Sequence, residues 1–292
     1  KDGIEARLAS IRAAAVDAVK TGHNILILSD RNVSADHLAI PALLATSAVH
    51  LCLVEHGLRT STGLVVETGS ARTVHQFALL GGYGAEAIHP YVALKVVEAF
   101  ADNAQAAQKY VDNYIHAIDK GLYKTMAKMG ICTYMSYIGA QIFEAVGLSS
   151  EFVDKYFTNT PSPIEGVGLF DIANEAVKIH KMAFDKLNLS DPSLSDGGDL
   201  NWRYGAEEHM WTPDAVVSLQ RAVRADDYQE YQKYANIIND QSKRLMTIRG
   251  LFKFKSQGAV PIDEVESEDS IIKRFACSAM SMGAISTEAH TT

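Results

Sequence analysis

Cysteine is scarce in this 292-residue sequence, and its placement excludes a disulfide framework or a metal knuckle. Cys52, Cys132 and Cys277 lie far apart, and none belongs to a CxxC pair. An odd, scattered set of cysteines is typical of a reducing compartment. We therefore expect a cytoplasmic protein without structural disulfides.

Long apolar runs and a basic surplus are also lacking. No uncharged apolar segment approaches the roughly 20 residues that cross a bilayer, and the amino-terminal KDGIEARLASIRAAA is typical of an amphipathic helix rather than a signal peptide. The net charge of −8 argues against a nucleic-acid or anionic-membrane partner, since both require a basic face. Lys1 is not an initiator methionine and no terminal motif follows Gly283, so we expect both ends to lie within a longer polypeptide.

The composition is that of a globular protein, with 47% hydrophobic and 21% charged residues, which excludes a disordered or fibrous chain. Helical spacing and short apolar runs alternate over the first 150 residues. Buried parallel strands are predicted at residues 25–28, 64–67 and 131–134, with helices between them. Such alternation favours right-handed βαβ units, so the predicted fold class is α/β with a mainly parallel sheet and flanking helices, incomplete or barrel-like.

The segment 126–148, MAKMGICTYMSYIGAQIFEAVGL, predicts a helix that ends at Gly130, a strand, and a second helix over residues 140–146. Cys132 would then be a buried strand residue that behaves as a small hydrophobe rather than a nucleophile.

The second half of the sequence is more helical. Residues 188–199, NLSDPSLSDGGD, are rich in turn formers and predict a linker. Helices are predicted at 212–224, 227–248 and 270–275, with strand-like alternation at 251–255. A final strand at 277–286 would open a helix at Thr287.

Candidate functional side chains follow two of the predicted strands. Asp30 and Arg31 come after the first strand, and Glu67 and Thr68 close the second. Carboxyl ends of parallel strands face the ligand crevice, so these residues either contact a ligand or, as an Asp–Arg pair, fix the following loop. The Gly81-Gly82-Tyr83-Gly84 run follows a helix rather than a strand and is interpreted as a turn. The sequence contains no HExxH or GxSxG motif.

Several long segments occur in an order that identifies a family. They include ILILSDRN (25–32), GLRTSTGLVVETG (57–69), SYIGAQIFEAVGL (136–148), YFTNTPSPIEGVG (156–168) and AMSMGAISTEAH (279–290). Together they resemble the large (alpha) subunit of bacterial glutamate synthase, and the resemblance covers essentially the whole chain.

The resemblance implies an oxidoreductase that makes L-glutamate from L-glutamine and 2-oxoglutarate with reducing equivalents. It implies FMN and an iron–sulfur cluster in the parent protein, with neither held by this fragment. Residues 1–200 would be the central domain, and residues 201–292 a helical connection into the first strand of a truncated (β/α)8 FMN-binding barrel. Catalytic and metal-binding residues are not carried over. The positions that match the flavin segment are Met280, Ser281, Gly283 and Ser286.

The implied partners are the glutamine amidotransferase and FMN synthase domains of the same chain, and the small subunit. On this interpretation the fragment is a scaffold that links those domains, walls part of the ammonia path and is inactive alone. Two alternatives remain: an independent α/β enzyme that binds phosphate or flavin at Asp30, Arg31 and Glu67, and a ligand-free interaction module.

Overall fold

The computed structural model describes residues 2–184, 197–198, 200–240 and 245–276. The chain divides into two compact units, Lys1–Pro192 and Ser193–Thr292. Within the described residues, no helix is both long enough and apolar enough to cross a membrane.

The first unit alternates helices with short strands. Its helices are α1 (Asp2–Lys20), α2 (Ala42–Glu55), α3 (Val74–Gly82), α4 (Tyr91–Ala99), α5 (Ala104–Lys128), α6 (Tyr134–Tyr137), α7 (Ser150–Tyr156) and α8 (Leu169–Phe184). Its strands are β1 (Ile25–Ser29), β2 (Gly63–Glu67), β3 (Ala87–His89), β4 (Val146–Leu148) and β5 (Ile164–Val167).

Strands β1, β2 and β3 form one parallel sheet in sequential order, and β4 and β5 form a second parallel pair. The predicted mixed α/β class with parallel pairing is therefore confirmed. Right-handed crossovers between strands added in one direction place the connecting helices on the same face of the sheet. The core accordingly joins Val16 of α1 and Leu53 of α2 to Leu64 of β2. Val66, also on β2, packs with Phe77 of α3.

The opposite face of this sheet is uncovered, contrary to the prediction that β1 is fully buried. Ile25 and Ile27 are each 63% exposed, whereas Leu64 and Val66 on the helix-covered face of β2 are 0% and 1% exposed. Because successive strand residues point to opposite faces, Ile27, Val65 and Ala87 form a row across the three strands on the exposed face.

The prediction for residues 126–148 is wrong in its central part. Helix α5 continues to Lys128, residues 131–133 form no strand, and residues 140–145 form no helix. Tertiary contacts explain the difference, because Tyr137 is fully buried and its hydroxyl donates to the Ala78 carbonyl at 2.7 Å. Tyr134 donates to the Ala85 carbonyl in the same way at 2.9 Å. These aromatic anchors hold a single helical turn against α3, and Cys132 is exposed rather than buried.

The second unit contains α9 (Pro213–Ala225), α10 (Tyr228–Asn239) and α11 (Glu268–Ile272). Thr212 caps α9, since its hydroxyl accepts from the Ala215 amide at 3.2 Å. The predicted helix 227–248 is too long, because α10 ends at Asn239.

The strand expected at 251–255 is absent. A 3₁₀ turn, Ile248–Leu251, occupies its start, and residues 252–255 are irregular and exposed. Such a segment forms a strand only where a neighbouring strand pairs with its backbone. Most of the predicted linker 188–199, and all of the predicted strand 277–286 with its following helix, lie outside the described residues.

Candidate functional site

The carboxyl ends of β1, β2 and β3 carry a connected polar cluster. Asp30 follows β1, and its carboxylate accepts from the Thr68 hydroxyl at 2.6 Å and from the Gly69 amide at 3.1 and 3.2 Å. Thr68 is completely buried and also accepts from the Ser70 amide at 3.1 Å. These bonds satisfy both Asp30 oxygens inside the protein, so Asp30 fixes the loop after β2.

Arg31 pairs with Glu67 rather than with Asp30, so the predicted Asp–Arg pair is wrong. The parallel register places Ser29 beside Glu67, and the Ser29 hydroxyl donates to Glu67 Oε2 at 2.6 Å. Arg31 Nε donates to the other carboxylate oxygen at 2.6 Å, and its guanidinium lies 4.4 Å from the centre of the Tyr91 ring. His89 completes the cluster, since its Nε2 is 3.4 Å from Arg31 Nη2.

The electrostatics of the cluster favour a fixed structure over acid–base chemistry. Hydrogen bonds from Ser29 and Arg31 hold the pKa of Glu67 below its ordinary value, so this carboxylate stays ionised. Burial and a hydrogen bond to Asp30 raise the pKa of Tyr91 to about 12. Neither group titrates near neutral pH, where a general acid or base would need to act.

A cavity of about 730 Å³ lies beside this cluster. Its lining includes Asp30, Asp36 and Glu67 together with Arg7 and His37. Three carboxylates against a single arginine make a poor pocket for phosphate, because like charges repel. The sequence analysis thus placed these residues at one edge of the sheet correctly, and Asp30 and Thr68 fix the loop after β2 without the predicted Asp–Arg pair. Ligand binding at this edge stays a prediction.

A second polar cluster at the amino-terminal edge of the sheet was missed in the sequence. Buried His50 on α2 accepts a hydrogen bond at Nδ1 from Arg59 Nε at 3.0 Å. Arg59 also donates to the Gly84 carbonyl at 2.9 Å and pairs with Glu86 at 2.8 Å. The three side chains come from separate segments, so no local pattern reveals them. In the glycine run Gly81-Gly82-Tyr83-Gly84, which is interpreted as a turn, the first two glycines end α3. Gly84 adopts φ +120°, as expected of a turn.

The positions matched to the flavin segment, Met280, Ser281, Gly283 and Ser286, lie outside the described residues. The described cysteines do not fit an iron–sulfur cluster: Cys52 is buried and Cys132 is exposed, and no described metal-ligating group brings them together.

Replacing Thr68 with valine tests the loop-fixing role of the cluster. Thr68→Val keeps the shape of the side chain but removes the hydroxyl that donates to the Asp30 carboxylate, which then keeps the Gly69 amide, and it leaves the Ser70 amide without its Thr68 acceptor. We expect the free energy of unfolding to fall by about 2 kcal/mol, the usual loss for a buried hydrogen bond to a charged group. Urea unfolding of Thr158→Val is the control, since that exposed hydroxyl donates to the Asp154 carbonyl of the preceding helix α7. Equal losses in both variants would contradict the assignment.

Comparison with known proteins decides the family. The family model described as the glutamate synthase central domain matches residues 1–149, which is just over half of the 292 residues. The chain belongs to the glutamate synthase family. A second model, described as a conserved region in glutamate synthase, matches residues 209–292.

Relatives in this family share about two residues in five with the chain. The large chain of glutamate synthase [NADPH] from Bacillus subtilis is 40% identical over 99% of the chain, and that of Azospirillum brasilense is 39% identical over 98%. A ferredoxin-dependent glutamate synthase from Synechocystis is 37% identical over the full chain. The chain spans 19%, 19% and 20% of these three proteins, respectively.

Proposed function

We propose that this chain is the scaffold of a glutamate synthase large chain, with its helix-free sheet face packed against another part of that polypeptide. The observation that carries the proposal is the exposure of Ile25 and Ile27, each at 63%. In α/β proteins, parallel sheets are generally covered on both faces, so an apolar open face requires a neighbour. Relatives about five times longer than the chain supply enough polypeptide to cover it.

The proposed role of each segment of the chain follows from its family. Residues 1–200 act as the central domain between a glutamine amidotransferase domain and an FMN synthase domain, and residues 201–292 lead into the first strand of a (β/α)8 barrel. Met280, Ser281, Gly283 and Ser286 would then contribute to the FMN site. FMN, when bound in the parent protein, supplies the hydride chemistry, and the iron–sulfur cluster belongs to polypeptide beyond these residues. The small subunit contacts the parent protein rather than this fragment alone.

The parent reaction is the formation of L-glutamate from L-glutamine and 2-oxoglutarate. In that reaction the chain would wall part of the path for ammonia. Support comes from the cavity beside Asp30, where Ala39, Ala42 and Ala45 form part of the lining. The Asp30 carboxylate accepts hydrogen bonds from Thr68 and Gly69, and the Glu67 carboxylate pairs with Arg31, so their oxygens already have partners within the protein.

Assaying the 292-residue chain alone tests the scaffold role. We expect no glutaminase and no glutamate synthase turnover with glutamine, 2-oxoglutarate, FMN and a reductant, because the family resemblance carries no catalytic residue of either reaction onto this fragment. The full-length protein, assayed in parallel, is the positive control. Turnover by the chain alone would overturn the proposal. A thermal shift with FMN or inorganic phosphate would favour the independent enzyme instead.

A further inference from the structure

The carboxyl-terminal end of α2, with the residue that follows it, places three different metal-ligating side chains together. Cys52, Glu55 and His56 each offer one ligand atom, and these atoms all lie within 4.8 Å of one another. The Cys52 sulfur is 3.8 Å from His56 Nδ1, a separation that suits two ligands of one ion. We propose that this end of α2 binds a divalent transition metal of the zinc class.

The spacing and the donor set both suit this class of ion. Residues i, i+3 and i+4 project from one face of a helix, so the three side chains converge without a change in the backbone. Thiolate, imidazole and carboxylate are the protein ligands of Zn²⁺, and three of them leave the fourth tetrahedral position to water. A hard ion such as Mg²⁺ or Ca²⁺ would require oxygen ligands, which only Glu55 offers here.

An unpartnered donor beside the sulfur gives independent support. Arg12 on α1 lies within reach of the Cys52 side chain, and its buried Nε has no hydrogen-bond partner. Deprotonation of Cys52 would turn the sulfur into an acceptor for this donor. Hydrogen bonds of this kind to metal-bound ligands orient them and tune the site. Arg12, Cys52 and His56 line the same cavity of about 350 Å³, together with Asp17.

Without a metal ion, each of the three ligating side chains makes a contact within the protein that the metal would replace. His56 Nδ1 lies 2.8 Å from the Cys52 carbonyl, Arg12 pairs with Glu55 at 2.9 Å, and the Cys52 thiol points to the Arg12 carbonyl at 3.9 Å. Binding releases the thiol proton to solvent, frees an imidazole nitrogen and moves Glu55 away from Arg12. Metal affinity should therefore rise with pH, since protons compete for the ligands.

Titration with Co²⁺ reports directly on a thiolate ligand through its charge-transfer absorption. The 292-residue chain carrying Cys132→Ser and Cys277→Ser keeps Cys52 as its only cysteine, and it should develop the band with one equivalent of Co²⁺ and lose it when Zn²⁺ is added. Cys52→Ser should abolish the band. His56→Gln, at an exposed position, should weaken binding at least about tenfold without unfolding the chain.

His116→Gln on α5 is the matched control and should bind Co²⁺ as the parent does. The proposal is overturned if the chain with Cys52 alone gives no band, or if His56→Gln binds Co²⁺ with unchanged affinity.

Discussion

Acidification from pH 7 to about 4 is expected to lower the free energy of unfolding by about 3 kcal/mol through His50 alone. His50 is 8% exposed, and its Nδ1 is the acceptor for Arg59. Burial, together with the positive charge of Arg59, lowers the pKa of His50 to about 4, with Glu86 opposing the shift in part.

The direction of the effect follows from proton binding. The unfolded chain protonates His50 near its ordinary pKa of 6.5, whereas the folded chain does so only near pH 4. Between these values the unfolded state binds more protons, so stability falls with decreasing pH and levels off below about pH 4. A shift of about 2.5 units at 1.4 kcal/mol per unit gives the expected magnitude.

Urea unfolding measured across this pH range, for the parent and for His50→Gln, isolates the contribution. The amide side chain that replaces the imidazole cannot titrate, so the variant should lose about 3 kcal/mol less than the parent between pH 7 and 4. The exposed His116→Gln should retain the parent slope. If the parent and His50→Gln show the same pH dependence, the inference that His50 is buried as a neutral imidazole is wrong.

Gly84→Ala should cost about 4 kcal/mol of stability, because it combines two separate penalties. Gly84 adopts φ +120°, a conformation that L-residues rarely enter. A Cβ at this position would also lie 2.5 Å from His50 Nδ1, and the ring cannot retreat because Gly139 abuts its other side. Backbone strain and overpacking each typically cost about 1–3 kcal/mol.

Gly57→Ala separates the two penalties. Gly57 has φ +66° and open space around its Cβ position, so only strain of about 1 kcal/mol is expected. Chemical unfolding of both variants gives the difference. In a His50→Ala background the cost of Gly84→Ala should shrink towards that of Gly57→Ala, since the clash partner is gone. Equal costs at Gly57 and Gly84 in the parent would contradict the packing at His50.

The elements predicted correctly are those determined by residues that lie close together in the sequence. The run at β1 contains four consecutive apolar residues and that at β2 three, and Ser149 caps α7 through a contact that spans only three residues. The strand predicted at residues 131–134 is wrong because two tyrosines anchor the segment to the carbonyls of residues 78 and 85. A three-residue strand such as β4, with Gly147 at φ +77°, has no apolar run by which it could be recognised.

The residues of the candidate site were likewise predictable from the sequence, but their partners were not. Strand ends indicated Asp30, Arg31, Glu67 and Thr68, because side chains there must lie at one edge of a parallel sheet. Their partners depend on the register, which aligns Ser29 with Glu67 and Glu67 with His89. No local pattern in the sequence reveals that register. The His50–Arg59–Glu86 cluster depends on three connections at once and is visible only in the folded chain.

The uncovered sheet face links the fold to the proposed role. A sheet wound in one direction buries one face with its own helices and leaves Ile25 and Ile27 exposed on the other. On the proposed scaffold role, this apolar surface would hold neighbouring domains of the enzyme in place.

Cysteine labelling of an Ile27→Cys variant tests this central claim most directly. The labelling rate at residue 27 would be read by mass spectrometry of its peptide, in the 292-residue chain and in the full-length protein, with the denatured proteins as reference. In the isolated chain, residue 27 should label within about threefold of the denatured rate, since its side chain is exposed. In the full-length protein, labelling should slow by about tenfold or more, because another part of the polypeptide covers the face. Equally fast labelling in both proteins would contradict the scaffold role of this surface.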